Sequence, residues 1–547
     1  MLSTLYAKPR GGSLTLRSDK RNMIFFFIIS GLLLYLAEPA TGLGLLAFIA
    51  LIPFLRAAAK SKSYMRTAIG GFLSGAAFFF PTLFWLTSTT VAGYIALSLY
   101  CSLYFTVFAV VARRTSNVLV LAACWTLLEF IRGVVAFTGF PWVLLSHTQY
   151  DFTVFTQVLD IIGSYGLSGL LVALNVLVYR AIIQRQRKPL FIAVGILASV
   201  CIYGYARMHS ISLQRSERVA LIQASVPQEM KEALAGTYNP REVFTRYLGE
   251  SVKLTADAKV DLLVWPETVV LSPYTLNVDP RVLKKEYAED ARFAQGALGT
   301  LARQHKAYFL VGSTSFLPAE YGYVSDIGIA QKIPDGNWRR QFNSAYLLDP
   351  AGHYVDRYDK THLVPFGEFI PLRNMFPLLV DIVGFDANLS PGTRQTIFQI
   401  TNGKGTARFG VLICYEDTDS ELARRLRRDG ADFLVNISND AWFGLSELDQ
   451  HFVAARFRAI ENRVGMVRSG NNGISGLIDP FGRAEVLLGK NAIGGASGEL
   501  WVSDSHSLYT RFGDWPAVVA SALMLAGAAG YPTTIRSRTV RNNSPAV

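Results

Sequence analysis

The stretch Gly410-Val-Leu-Ile-Cys414-Tyr-Glu416 places a thiol and a carboxylate directly after a run of apolar residues. A continuous apolar run of this length is typical of a strand that is buried on both faces. Reactive groups in α/β domains tend to lie where such strands end. Cys414 is therefore a candidate nucleophile, although a cysteine at the end of an apolar run is more often a packing residue.

Around this stretch, short β-rich runs alternate with helical patterns from about residue 217 to residue 503. This alternation predicts a layered α/β domain with buried strands. Segments 240–258 and 288–305 are predicted helices. The predicted strands begin at Val219, Leu262, Tyr308, Ser344, Arg408 and Phe433.

Two other strand ends in this domain also carry chemistry. Val264-Trp-Pro-Glu267 ends in a carboxylate, and Tyr358-Asp-Lys360-Thr-His362 presents an amine. A partly desolvated carboxylate can accept the proton of a thiol, and a nearby ammonium stabilises both a thiolate and a developing oxyanion. The backbone N–H of Tyr415 would be a second oxyanion donor. Taken singly, Glu267 could instead cap a helix and Lys360 could be a surface charge.

The remaining sequence indicates a membrane part. Of the 547 residues, 51% are hydrophobic, and they concentrate in 23–207 and 516–531. A spanning helix needs roughly 20 mostly apolar residues. Eight segments are predicted to span, namely 23–37, 43–58, 67–86, 91–112, 117–135, 160–180, 190–207 and 514–531.

Basic residues flank alternate ends of these segments, which predicts their orientation. Five clusters lie on one side, and the loops between them carry almost no positive charge. Because basic loops stay in the cytoplasm, both termini are predicted to be cytoplasmic and the α/β domain extracytoplasmic. The net charge of +12 thus reports topology, and no nucleic-acid partner is expected. The predicted units are a cytoplasmic tail 1–22, a bundle of seven spans 23–208, a catalytic domain 209–510, an eighth span 511–532 and a second tail 533–547.

The outer end of the fifth predicted span and the loop after it carry polar and aromatic residues whose role the sequence leaves open. Glu129 and Arg132 are spaced three residues apart on a helix, so they form either an ion pair at the membrane interface or a site for a lipid headgroup. Phe140 and Trp142 either anchor the loop at the interface or line an entrance for lipid.

The four cysteines predict neither a disulfide nor a metal site in the α/β domain. Cys101, Cys124 and Cys201 lie in apolar segments, and Cys414 is alone in the domain. The histidines show no spacing with cysteine that is typical of zinc ligands. No metal and no diffusible cofactor are expected.

The order Glu267, Lys360, Cys414 resembles the nitrilase superfamily, whose members use a Glu–Lys–Cys triad on an αββα sandwich. The resemblance is closer still to its membrane-embedded branch, the apolipoprotein N-acyltransferase family, and it covers nearly the whole chain. The motifs that carry it are Trp125 to Arg132, Gly139 to Trp142, Trp265-Pro-Glu267, Tyr358 to Glu368, Ser390-Pro-Gly, Ile413 to Glu416, Asn436 to Gly444 and Arg458 to Arg463.

This resemblance implies Glu267 as the general base, Lys360 as the oxyanion stabiliser and Cys414 as the nucleophile that accepts the acyl chain. Glu368 matches a further essential glutamate, which could equally support Lys360. Tyr415 and Glu416 match positions that shape the pocket. The resemblance leaves Asn439, Asp440 and Trp442 as scaffold.

One segment departs from the pattern of the family. Val226-Pro-Gln228 is followed by Lys231-Glu232, whereas the family usually has Lys-Trp at this point. The missing tryptophan puts in doubt a contact to the acyl chains or the substrate.

The resemblance implies transfer of an acyl chain from a phospholipid to a diacylglyceryl-cysteine apolipoprotein. We expect a monomer in the bacterial inner membrane, with the catalytic domain in the periplasm. Apolar segments 363–369 and 376–385 either dip into the membrane or pack on the bundle. A membrane-anchored nitrilase-like amidase is the alternative, because the triad is shared. A transporter is disfavoured, because apart from Pro53 and Pro81 the spans are uniformly apolar.

Overall fold

The computed structural model describes residues 14–135, 139–231, 239–254, 259–271, 285–316, 341–372, 375–376, 389–443 and 445–529. The predicted tails lie mostly outside these residues, as does nearly all of segment 376–385. The described chain forms a helical bundle followed by a domain with two β-sheets.

The bundle contains eight α-helices and three short 3-10 helices among its described residues. The 3-10 helices are Gly44–Phe48, Phe84–Ser88 and Leu145–Gln149. The α-helices are α1 Leu14–Leu36, α2 Ile52–Lys60, α3 Tyr64–Thr82, α4 Val91–Arg114, α5 Val118–Val134, α6 Thr153–Thr156, α7 Leu159–Ile182 and α8 Arg187–Ser210.

Three of the described helices, α4, α7 and α8, are long and apolar enough to cross a membrane. Shorter apolar helical stretches cover Met23–Leu36 and Trp515–Ala526. The prediction of eight spans is therefore not confirmed. Large apolar side chains are exposed along α8, as expected of a face that contacts lipid, and they include Leu190, Phe191, Ile192, Val194 and Ile202.

The second predicted span, 43–58, is wrong as a single helix. The chain forms a 3-10 turn there and then starts α2, which has only nine residues and a proline in its first turn. Proline lacks the N–H that an earlier helix would need to continue, so a new helix begins at Ile52 with Pro53 in its first turn. At about 1.5 Å per residue, α2 is far shorter than the roughly 30 Å hydrocarbon core.

In the second part of the chain, the described residues form two six-stranded sheets. The first sheet has the order β12-β1-β2-β3-β4-β5 and the second has the order β11-β10-β9-β8-β7-β6. The strands are β1 Gln214–Gln223, β2 Leu262–Val264, β3 Tyr308–Phe316, β4 Gln341–Leu348, β5 Tyr354–Asp359, β6 Ile397–Asn402, β7 Gly405–Ile413, β8 Phe433–Ser438, β9 Gly465–Gly470, β10 Ser475–Ile478, β11 Ala484–Leu488 and β12 Gly494–Val502.

Helices cover the outer face of each sheet. These are α9 Pro240–Lys253 and α10 Lys285–His305 on the first sheet, and α11 Ser420–Arg428 and α12 Leu445–Asn462 on the second. Two helices, α13 Leu508–Phe512 and α14 Trp515–Ala529, then return the chain to the bundle, where α14 packs against α5.

The alternation of side chains along each strand builds the layers. Leu221 of β1 and Val411 of β7 belong to the core between the sheets, whereas their neighbours Ile222 and Leu412 pack under the helices on opposite sides. Successive residues of a strand point to opposite faces, so both faces of each sheet are buried. The predicted αββα sandwich is confirmed.

Candidate active site

Three strand ends meet between the sheets and bring the predicted triad together. Glu267 follows β2, Lys360 follows β5 and Cys414 follows β7. The exposed fractions of these residues are 5%, 1% and 8%. The Nζ atom of Lys360 lies 3.9 Å from Oε1 of Glu267. The site is a buried constellation of a carboxylate, an ammonium and a thiol.

Two donors fix the carboxylate of Glu267. The amide of Asn343 donates to Oε1 at 2.6 Å, and the backbone N–H of Asn439 donates to Oε2 at 2.7 Å. Burial raises the pKa of Glu267, while the charge of Lys360 acts in the opposite direction. A carboxylate with a raised pKa is a better match for the proton of a thiol.

Glu368 forms the short ion pair with Lys360, at 2.8 Å between Oε2 and Nζ. The backbone N–H of Val364 donates to the same oxygen at 2.9 Å, and Asn343 donates to Oε1 at 3.1 Å. Burial acts against the charge of Lys360, yet Glu368, Cys414 and Glu267 together raise its pKa. Lys360 is therefore a cation at neutral pH, and Glu368 supports its position.

Cys414 lies at a strained turn between β7 and the 3-10 helix Cys414–Thr418. Its φ angle is 52°, in the left-handed region that non-glycine residues rarely adopt. Burial raises the pKa of the Cys414 thiol and Glu267 adds to this effect, whereas Lys360 and His451 lower it. The burial of the thiol favours its neutral form, so Cys414 would need a base to act as a nucleophile.

Glu416 ties the strand end that carries Lys360 to the strand end that carries Cys414. Its Oε1 accepts from the hydroxyl of Tyr358 at 2.7 Å and from the backbone N–H groups of Thr361 and His362 at 2.8 and 3.0 Å. Its Oε2 accepts from the backbone N–H of Ile413 at 2.8 Å. With its oxygens so occupied, Glu416 is placed to position the two strand ends.

Tyr415 connects the turn to the helical bundle. Its ring stacks on Trp142 with centroids 6.0 Å apart and planes 9° apart, and its hydroxyl donates to the carbonyl of Gly139 at 3.2 Å. The indoles of Trp85 and Trp142 both donate to Oε1 of Gln450, at 3.1 and 2.7 Å. Trp142 is thus buried at the junction with the α/β domain.

Glu129 and Arg132 shape this junction without forming a direct salt bridge in the described part of the chain. Arg132 donates to the carbonyl of Trp142 at 2.7 Å, and Glu129 accepts from the backbone N–H of Leu145 at 2.9 Å. Both side chains are buried. Of the two alternatives for this pair, a direct ion pair is not formed among the described residues, because each side chain holds the backbone of the loop.

Two neighbours of the triad are not identified by any sequence motif. Asn343 lies just before a predicted strand and had no signal of its own. Lys231 lies in the segment that departs from the family pattern, and its buried ammonium lies 3.4 Å from the backbone carbonyl oxygen of Glu267. Burial lowers the pKa of Lys231 to about 7, although Glu267 acts to raise it.

Asp440, Glu447 and His451 are the described residues whose arrangement could suit a metal ion, with potential ligand atoms within 4.8 Å of one another. The guanidinium of Arg468 already pairs with Asp440, at 3.1 Å between Nη2 and Oδ2. The cluster therefore has a protein cation as its partner.

Comparisons with known proteins place the chain. Residues 30–177 match the model for the apolipoprotein N-acyltransferase N-terminal domain, and residues 218–500 match the model for carbon-nitrogen hydrolase. An apolipoprotein N-acyltransferase of Geobacter metallireducens is 34% identical over 91% of this chain and 94% of the relative. One of Rhodopseudomonas palustris is 29% identical, over 86% of this chain and 87% of the relative.

Solved structures give a more distant likeness. An amidase of the nitrilase superfamily from Nesterenkonia AN1 has a TM-score of 0.35 and 16% identity, over 58% of this chain and 99% of the amidase. The full-length sequence relatives decide the assignment: the chain is an acyltransferase and belongs to the apolipoprotein N-acyltransferase family.

Proposed function

We propose that this protein transfers a fatty acyl chain from a phospholipid to the N-terminal α-amino group of a diacylglyceryl-cysteine apolipoprotein. Cys414 carries the chain between the two substrates as a thioester. The observation that supports this most is the meeting of the Cys414 turn, the Lys360 ammonium and the Glu267 carboxylate in one buried site. Family membership supports a lipoprotein acceptor, and the phospholipid donor is part of the proposal.

In the first half-reaction, the carboxylate of Glu267 removes the proton of the Cys414 thiol. The sulfur attacks the ester carbonyl carbon of the phospholipid, and the ammonium of Lys360 and the backbone N–H of Tyr415 stabilise the oxyanion. The C–O bond then breaks, and the leaving alkoxide takes the proton from Glu267. The products are a thioester on Cys414 and a lysophospholipid.

In the second half-reaction, the α-amino nitrogen of the apolipoprotein attacks the thioester carbonyl. Glu267 accepts a proton from the attacking amine, and Lys360 again stabilises the oxyanion. The C–S bond breaks, the thiolate recovers the proton, and an amide is released. One site can thus serve two bulky lipid substrates in turn.

The position of the site supports a membrane substrate. Tyr415, the residue after the proposed nucleophile, packs on Trp142 of the bundle. The donor lipid reaches Cys414 across this junction, and segment 363–369 dips toward the membrane beside it. We place the protein in the bacterial inner membrane as a monomer, with residues 209–510 in the periplasm.

A two-substrate assay tests this function. Purified protein in detergent is given a phospholipid with a labelled acyl chain and a synthetic diacylated lipopeptide. Wild type and Cys201→Ala should both acylate the lipopeptide, because Cys201 lies in α8 away from the site. Cys414→Ala should not. Transfer by Cys414→Ala, or release of free fatty acid with no acylated lipopeptide, would contradict the proposal, and the second result would favour a hydrolase.

A further inference from the structure

His451 lies on α12 directly behind the turn that presents Cys414, and 1% of the residue is exposed. Its Nε2 atom lies 3.0 Å from Oδ1 of Asp417 and 3.3 Å from the carbonyl oxygen of Cys414. Its Nδ1 atom lies 3.1 Å from Oδ1 of Asp440 and 3.2 Å from Oε1 of Glu447. Both ring nitrogens therefore face oxygen atoms.

This environment selects the doubly protonated form of the ring. A neutral imidazole has one N–H, so its other nitrogen would turn a lone pair toward a carboxylate, whereas an imidazolium donates on both sides. Burial opposes this charge, yet Asp417 and Asp440 raise the pKa of His451 well above its ordinary value. Burial also raises the pKa of Glu447 to about 7, so Glu447 is the carboxyl that most readily stays neutral.

The charges around His451 balance in this form. Arg468 of β9 donates to Oδ2 of Asp417 at 2.9 Å and pairs with Oδ2 of Asp440 at 3.1 Å. Two aspartates are thus matched by two cations, Arg468 and the His451 imidazolium. Charges buried this deeply are stable only when they are paired in this way.

His451 contacts the backbone carbonyl of Cys414. The carbonyl of Cys414 accepts from the amide of Asn436 at 3.1 Å and faces Nε2 of His451 on the same oxygen. Cys414 has a left-handed φ of 52°, and such a conformation persists only where the surroundings over-determine it. Fixing this carbonyl fixes the direction in which the side chain of Cys414 leaves the backbone.

We propose that His451 is a positioning residue for the nucleophile, an imidazolium held by Asp417 and Asp440 whose Nε2–H holds the Cys414 carbonyl in the left-handed turn. The inference rests on the proposed role of Cys414. The positive charge of the His451 imidazolium also favours the thiolate of Cys414 as the thiol loses its proton. Glu267, Lys360 and Asp440 are the other charged groups that act on this thiol.

Two substitutions separate the hydrogen bond from the charge. Glutamine in His451→Gln can place its amide nitrogen near the position of Nε2 but carries no charge, and asparagine in His451→Asn is too short to reach. Single-turnover loading of Cys414 from phospholipid should fall about 10²-fold in the Asn variant and much less in the Gln variant. Saturation with phospholipid should occur at an unchanged concentration, because His451 touches no substrate.

The rate at which iodoacetamide alkylates Cys414, measured by peptide mass spectrometry across pH, reports how the charge of His451 affects the thiol. The pH midpoint of the alkylation rate should be higher in both variants, because each loses the cation beside the thiol. A purely structural histidine would lower the melting temperature and leave this midpoint in place. His147→Asn is the matched control, since His147 is also buried but packs on Phe457, and it should keep the wild-type midpoint.

Wild-type loading and an unshifted alkylation midpoint in a folded variant would overturn the inference. If His451→Asn does not fold, the midpoint of His451→Gln alone decides. These outcomes are distinct from failure of the proposed function, which would show as lipopeptide acylation by Cys414→Ala.

Discussion

Lys360 is the residue whose chemistry the site constrains most tightly. Its ammonium is 1% exposed and lies between Glu368 at 2.8 Å and Glu267 at 3.9 Å. A compact charge fits this space, whereas a planar guanidinium spreads the same charge over a larger volume. Keeping the charge is therefore not enough to keep the function.

We predict that Lys360→Arg loses about 10²–10³-fold in the rate of acyl loading, as expected when one oxyanion donor is misplaced. Single-turnover loading measures the loss, and thermal unfolding shows whether the variant still folds. Lys253→Arg, on the exposed face of α9, is the control and should behave as wild type. A turnover near the wild-type rate in Lys360→Arg would remove Lys360 from the mechanism.

Site residues that lie in a local sequence motif could be predicted. Site residues whose role depends on contacts with distant parts of the chain could not. Glu267 and Cys414 follow apolar strands, and Lys360 lies in a motif that runs from Tyr358 to Glu368, so each has a signal nearby in the sequence. Asn343 and His451 matter because they contact side chains more than 30 positions away along the chain. Such contacts exist only once the two sheets have packed together.

At the scale of elements, the sequence predicts β1 to β4, β7 and β8 and misses β5, β6 and β9 to β12. Among the missed strands, β5 is mostly exposed or half-buried, with the sequence Tyr-Val-Asp-Arg-Tyr-Asp, and it lies at a sheet edge. The missed strand β9 is fully buried but contains Arg468. An arginine is tolerated there only because Asp417 and Asp440 neutralise it, which strand periodicity cannot reveal.

The helices of the bundle show the same limit of prediction from local sequence patterns. Hydropathy finds where apolar residues concentrate, but it does not show that a new helix, with Pro53 in its first turn, begins at Ile52 inside segment 43–58. Hydropathy also does not show how the bundle contacts the α/β domain. In α12, Gln450 accepts a hydrogen bond from Trp142 of the bundle, and His451 faces the carbonyl of Cys414. One helical turn thus joins the bundle to the proposed nucleophile.

At the scale of the whole molecule, the predicted orientation decides which lipids the site can meet. The basic clusters flank one side of the bundle, so the α/β domain is predicted to lie outside the cytoplasm. A membrane-impermeant thiol reagent should label Tyr354→Cys, which is exposed on the α/β domain, in cells whose outer barrier is opened. It should not label Gln186→Cys, in the basic turn between α7 and α8. The reverse pattern would overturn the orientation and the periplasmic site.

The central claim is that one thiol serves two lipid substrates in turn, so the acyl-enzyme itself is the most direct object to measure. Intact-protein mass spectrometry after incubation with phospholipid alone should show one added acyl chain, located on Cys414 by peptide mapping. A diacylated lipopeptide should discharge the chain, and hydroxylamine should release it as expected of a thioester. Cys414→Ala should gain no chain. An unmodified wild-type protein that nonetheless acylates the lipopeptide, or a chain of the same stability on Cys414→Ala, would contradict the account.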